Sequence, residues 1–172
     1  MQAYPDNAIT GHFKGRQREL RCNVVVQPFV GDGMSNDVNC VCSGIWDTGA
    51  TNSAIDGKVV EKLSLKPIDQ VMTSTANGMR VSNVYLIQIT ILDRITKVIN
   101  VTEASLNNAD MLIGMDVIGD GDFAISTDKK SGDMFLSYQV PSQGKIDFVE
   151  RSNQRKKQIR ATARKKNRKK KK

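Results

Sequence analysis

Asp47, Thr48, Gly49 and Ala50 stand in a row at the end of the apolar run Ile45-Trp46 and lead into the small polar stretch Thr51-Asn52-Ser53. A carboxylate carried by a strand into a loop of small residues can be approached closely by backbone amides, because Gly49 has no side chain to obstruct them. What such a group can do depends on a partner. Two carboxyls a few ångströms apart cannot both ionise, so they share one proton. The ionised one can act as base on a water molecule while the protonated one donates to the oxygen of a peptide carbonyl. The two pKa values then belong to the pair and to neither residue alone. Taken by itself, Asp-Thr-Gly is also an ordinary turn, since Asp and Gly both favour turns.

The elements that must hold this loop come later in the chain. Met111-Leu112-Ile113-Gly114-Met115-Asp116 is a short apolar strand running into a glycine. Before it, Val71 to Thr75 and Arg80 to Leu92 flank Asn77-Gly78, a strong hairpin signal because both residues tolerate positive φ. The order of loop, hairpin and Ile-Gly resembles the retropepsin-like (retroviral-type) aspartic proteases over residues 18–141.

That resemblance implies a fold and a set of roles. The fold is an all-β, small closed β-barrel of the acid-protease type with one or two short helices. Asp47, Thr48 and Gly49 take the catalytic positions, and the Thr48 hydroxyl joins a network across the carboxyl pair. Ala50 packs beside the loop, Leu112 and Ile113 seal it from beneath, and Gly114 leaves room for it. The hairpin tip Ala76, Asn77, Gly78 and Met79 matches the flap that closes over a bound peptide, although it holds one glycine where retroviral flaps are Gly-rich. Trp46 replaces the small aliphatic residue more usual before the Asp. With one Asp-Thr-Gly per chain, the second carboxylate must be Asp47 of another copy, so the resemblance implies a homodimer acting on peptide or protein substrates, with no metal and no organic cofactor. A different class of function is also open: the same dimer holding a peptide that it never cuts, as an adaptor.

The remaining pattern is consistent with many short strands. Leu20, Cys22, Val24 and Val26 alternate with polar neighbours, the period of a half-buried strand. Gly31 to Asp37 is turn chemistry, and Asn39 to Trp46 is a second strand. Val59, Val60 and Leu63 make one helical face with Asp56 placed to cap it. On the strand after Asn77-Gly78, Val81, Tyr85, Ile87, Ile89 and Ile91 are expected on one face, and Ser82, Gln88 and Thr90 on the other. Thr96 to Glu103 reads as a strand, and Phe123 to Ser126 with Met134 to Val140 as a last hairpin. Residues 1–17 are expected to be a loosely held arm.

At 172 residues with 5% aromatic content, the chain is of one-domain size and must build its core from Val, Ile, Leu and Met. Its net charge of +8 is unevenly placed. Residues 151–172 hold 13 of the 26 Lys and Arg and no acid, leaving 13 basic against 18 acidic residues, a net −5, in residues 1–150. So charged a block is expected to be disordered alone. It lacks aromatics for base stacking, which leaves nonspecific nucleic-acid or polyanion contact through Arg151 to Lys172, or a solubilising role.

Cys22, Cys40 and Cys42 cannot all pair within one chain, and Met1 to Thr10 has neither the basic nor the apolar segment of a signal peptide. The expectation is a cytoplasmic protein with buried thiols. Cys40-x-Cys42 lacks a second pair for zinc. Asp116, Asp120 and Asp122 fail the calcium-loop spacing and are expected to be solvated turn acids. No apolar run reaches the roughly 20 residues needed to span a bilayer.

Overall fold

The strand that delivers Asp47 is one of six that close into a barrel. The computed structural model describes residues 7–31, 38–75 and 78–169. In chain order the elements are β1 (Asn7–Phe13), β2 (Arg21–Pro28), β3 (Cys40–Trp46), β4 (Ala54–Asp56), α1 (Gly57–Lys62), β5 (Asp69–Thr75) and β6 (Gly78–Ile91). They continue with β7 (Ile95–Ala104), β8 (Met111–Ile113), α2 (Met115–Ile118), β9 (Asp122–Thr127), β10 (Met134–Val140) and α3 (Phe148–Lys169). Pairing runs β2-β3-β8-β4-β7-β6, and β6 pairs back with β2, so the ring has no free edge, while β5 extends from β6 as a hairpin. This is the closed all-β barrel expected from the sequence.

Alternation explains the closure, because successive residues of a strand face opposite sides. Val24 and Val26 of β2, with Ile87, Ile89 and Ile91 of β6, are wholly buried, as are Ile95 and Val101 of β7 and Met111 and Ile113 of β8. Each such side chain contributes about 1.5–3 kcal/mol by leaving water. Cys40 and Cys42 are likewise buried on one face of β3. Helix α1 forms where its cap predicts, with the Lys58 N–H donating to Asp56 Oδ1 at 3.0 Å.

Four expectations need correction. First, residues 7–13 are no loose arm: β1 pairs antiparallel with β10 from Asn7↔Val140 to Phe13↔Met134. Their side chains are too polar to announce a strand, and the ladder is supplied by a partner far along the chain. Second, the two faces of β6 exchange near Val84. Val81 is 59% exposed and Ser82 only 3%, whereas Val84 and Tyr85 are both buried. Residues 78–84 pair with β5, and residues 84–91 with β7. The strand therefore leaves one layer for another, and the buried side changes with it. Third, the basic segment is helical as far as Lys169. Arg, Lys, Gln and Ala are all good helix formers, and inability to bury surface does not forbid a solvated helix. Fourth, the turn acids Asp116, Asp120 and Asp122 are all engaged. Asp120 pairs with Lys97, and Asp122 accepts from Gln139 Nε2, Ser142 Oγ and the Gln143 N–H.

Strands β1, β10 and β9 form a second, three-stranded sheet. Trp46 joins it to the barrel, its ring 5.5 Å from that of Phe123 and 5.2 Å from that of Tyr138. The large residue before Asp47 thus fills the seam between the two sheets. Among the described residues, no helix is long and apolar enough to cross a membrane.

Candidate active site

Asp47 emerges where β3 ends, and β8 holds that end in place. Trp46 pairs in parallel register with Ile113, the Trp46 N–H donates to the Leu20 carbonyl at 3.0 Å, and the Asp47 N–H donates to the Ile113 carbonyl at 2.9 Å. Strand β8 also pairs antiparallel with β4, through Ala54↔Leu112. One short strand therefore grips both the chain entering the loop and the chain leaving it. Ile113 faces the barrel interior and is wholly buried, while Leu112 points the other way and is half-buried.

Within the loop the Gly49 N–H donates to Asp47 Oδ1 at 2.9 Å, and the Ala50 N–H to the Asp47 carbonyl at 3.2 Å. A Cβ on residue 49 would lie 3.2 Å from that same Oδ1, so glycine lets the amide reach the carboxylate without crowding it. Asp47 is half-buried, and Thr48 and Gly49 are exposed.

Gly114 lies directly against the far side of the loop. A Cβ there would stand 2.6 Å from the carbonyl carbon of Asn52, 2.8 Å from its oxygen and 2.9 Å from Ser53 N. These are backbone atoms, so neither neighbour can rotate away. The Met115 N–H donates to the Ala50 carbonyl at 2.9 Å, and the Asp116 N–H to the Thr51 carbonyl at 3.2 Å.

A buried polar clamp completes the support. Ser53 is wholly buried. Its N–H and its Oγ–H both donate to Asp116 Oδ1, at 3.0 and 2.8 Å, and its Oγ accepts the Gly114 N–H at 3.0 Å. The Val117 N–H adds a further bond to the same Oδ1 at 3.1 Å. Ser53 and Asp116 were missed in the sequence reading. The available signal was a Ser four residues after Gly49 and an Asp two residues after Gly114, and it is not specific.

Of the flap residues, Ala76 and Asn77 lie outside the described residues. Gly78 has φ +106°, as a tight hairpin requires. Met79 is exposed together with Met72 and Val81. Register puts Met72 opposite Val81 and Ser74 opposite Met79, so these apolar side chains share one face of the hairpin. On the other face Ser82 Oγ is bonded to Thr73 Oγ1 at 2.9 Å and accepts from Arg80 Nε at 3.2 Å.

Cys40 and Cys42 are buried and Cys22 is half-buried. Burial pushes Cys22 up to about 11. Burial, with Cys40 beside it, pushes Cys42 up to about 12. Among the described residues, no group of three or more His, Cys, Asp or Glu is placed to hold a metal ion.

A closed barrel that presents Asp-Thr-Gly on a loop braced by an apolar strand and glycine is a retropepsin-like fold. Residues 37–120, a span containing the loop, the hairpin and Gly114, match the family described as "gag-polyprotein putative aspartyl protease". Over that span the chain is similar to the retropepsin-like aspartic proteases. Among solved structures it is similar to a retropepsin-like aspartic protease from Rickettsia conorii, at 18% identity and TM-score 0.49, over 81% of this chain and 98% of that one. It is also similar to the protease of Simian Foamy Virus (mac), at 16% identity and TM-score 0.42, over 58% of this chain and 92% of that one. No curated protein matches it.

Proposed function

We propose that the protein is a homodimeric aspartic endopeptidase in which Asp47 of each subunit supplies one carboxyl of the catalytic pair. The observation that carries this reading is the Asp47 loop itself. Its carboxylate is held from behind by the Gly49 amide and is only half-buried, so it is braced on one side and open on the other. Thr48 beside it is exposed and available to a second subunit. A two-fold axis next to the loop would bring two identical carboxyls together, which is the arrangement an isologous dimer makes possible.

In this mechanism the ionised carboxylate takes a proton from water as the water oxygen bonds to the peptide carbonyl carbon. The protonated carboxyl gives its proton to the carbonyl oxygen. The tetrahedral diol then collapses, a proton passes to the amide nitrogen, and the C–N bond breaks. The hairpin β5–β6, with Met72, Met79 and Val81 on one face, is the element assigned to cover the substrate. We assign the protein to a reducing compartment, the cytoplasm, on its three free cysteines. The basic helix α3 is given a separate role in contact with nucleic acid or another polyanion.

The test is Asp47→Asn. Cleavage of a peptide library between about pH 4 and 7, where a carboxyl pair holds one proton, should fall by about 10²–10⁴-fold, with the dimer intact by sedimentation. Full activity in that variant would refute the mechanism. A wild-type dimer that binds library peptides and cleaves none would establish the adaptor role in its place.

A further inference from the structure

Ten of the 22 residues of α3 are Lys or Arg, and Glu150 is its single acid. We propose that α3 is a binding element for the phosphate backbone of double-stranded nucleic acid, and that contact with phosphate further stabilises the helix. This deepens the polyanion role assigned to α3 and stands independently of the carboxylate chemistry.

Over its described side chains the helix is not buried against its own body. Every side chain from Phe148 to Thr162 is exposed, although the body carries the opposite net charge. Like charges four residues apart meet on a helix surface and work against it. Here Arg151 and Arg155, and Lys156 and Arg160, are so spaced. Neutralising them from outside removes that opposition, so binding and helix formation reinforce each other.

The distribution of charge selects the ligand. A helix lying on a lipid surface needs one apolar face. In α3 the large apolar residues are Phe148 and Val149 at one end and Ile159 further on, and Arg155 interrupts the side that Phe148 and Ile159 share. No aromatic follows Phe148, so there is nothing to stack on unpaired bases. A rod that is cationic on all sides fits a partner that presents phosphates on both of its flanks. At about 1.5 Å per residue α3 is about 33 Å long, close to one turn of duplex at about 34 Å. Its width of about 10–12 Å matches a B-form major groove of about 12 Å. With no base-reading side chains assigned, the contact is expected to be independent of sequence.

The experiment uses the full chain with labelled duplexes of about 20 base pairs, DNA and RNA in separate arms, read by fluorescence anisotropy. Binding to either duplex supports the proposal, and the two arms identify which source of phosphate is preferred. Affinity should drop about 10³-fold or more between about 50 and 200 mM salt. Replacing Arg155, Lys156 and Arg160 together by Gln keeps helix propensity. It should weaken duplex binding at least tenfold and lower the salt slope by up to about 2.7, with peptide cleavage unchanged. Backbone amides of residues 148–169 should exchange hydrogen at least tenfold more slowly when duplex is present. Asp47→Asn should bind duplex as the wild type does, which separates failure of the catalytic reading from failure of this one. Salt-independent binding, an unaffected triple variant, unchanged exchange in α3, or tighter binding to single strands or to phosphatidylserine vesicles would each overturn the proposal.

Discussion

Gly114→Ala is the sharpest probe of how the Asp47 loop is held. Gly114 has φ −89° and ψ −172°, extended backbone that alanine adopts without strain, so the substitution isolates one steric effect. The new methyl would be 2.6 Å from the Asn52 carbonyl carbon, where ordinary contact begins at 3.4 Å. Either β8 or the segment Asn52-Ser53 must then yield by about 0.8 Å, and because both are backbone the overpacking should cost about 1–3 kcal/mol. The displacement reaches Asp47 through two routes, the Asp47 N–H bond to Ile113 and the Met115 N–H bond to Ala50. A misplacement near 1 Å at a catalytic group lowers rate by up to about 10²-fold. The assay is urea unfolding alongside kcat/KM on a cleaved peptide, with Gly132→Ala as control. Gly132 has φ +76° and nothing within 4 Å of a Cβ. It should lose about 1 kcal/mol from its backbone alone and keep its activity. A Gly114→Ala protein with wild-type stability and kcat/KM would show that the loop is not packed against Gly114 as described.

Asp116→Ala should cost about 2–6 kcal/mol in urea unfolding, because it strands the N–H and hydroxyl of wholly buried Ser53 at about 1–3 kcal/mol each. Asp116→Asn keeps an oxygen acceptor and should recover most of that loss; equal losses in the two variants would argue against the clamp. Cys22 and Cys42, pushed up to about 11 and about 12, should resist iodoacetamide at pH 8 in the folded protein and react once urea unfolds it, as peptide mass mapping would report. Rapid labelling of native Cys42 would contradict its burial. Bonds from the Ser142 hydroxyl, the Gln143 N–H and the Gln139 amide hold Asp122 below the usual carboxylate range. Its contribution is therefore fully present above its unfolded pKa near 3.8 and is lost as pH falls through the lower folded value. The Tm of wild type should accordingly drop more steeply below about pH 4 than that of Asp122→Asn, and parallel acid limbs would remove Asp122 from the account.

Local chemistry made much of the architecture legible. Asp56 announced the cap of α1, and the alternation from Leu20 to Val26 defined β2. Asp128 to Gly132 marked the last turn, where the Gly132 N–H donates to the Asp128 carbonyl. Each of these signals is written within a few residues, and the preference it expresses is satisfied within the same few residues.

The rest depends on partners that no local window contains. The parallel pairings β3–β8 and β4–β7 have no periodic signature of their own. Strand β1 is a strand because β10 is beside it, and the buried face of β6 changes because its neighbour does. Trp46 looked out of place until Phe123 and Tyr138 stood around it. The amino-acid sequence by itself determined that Asp47 sits in a tight loop of small residues and that a Leu-Ile-Gly strand follows. Only the tertiary structure decided that Gly114 leaves the space Asn52 occupies and that Asp116 accepts the hydrogen bonds of Ser53. The reason is physical: burying Ser53 requires an acceptor, and that acceptor arrives from the end of the neighbouring strand β8, sixty-three residues along the chain.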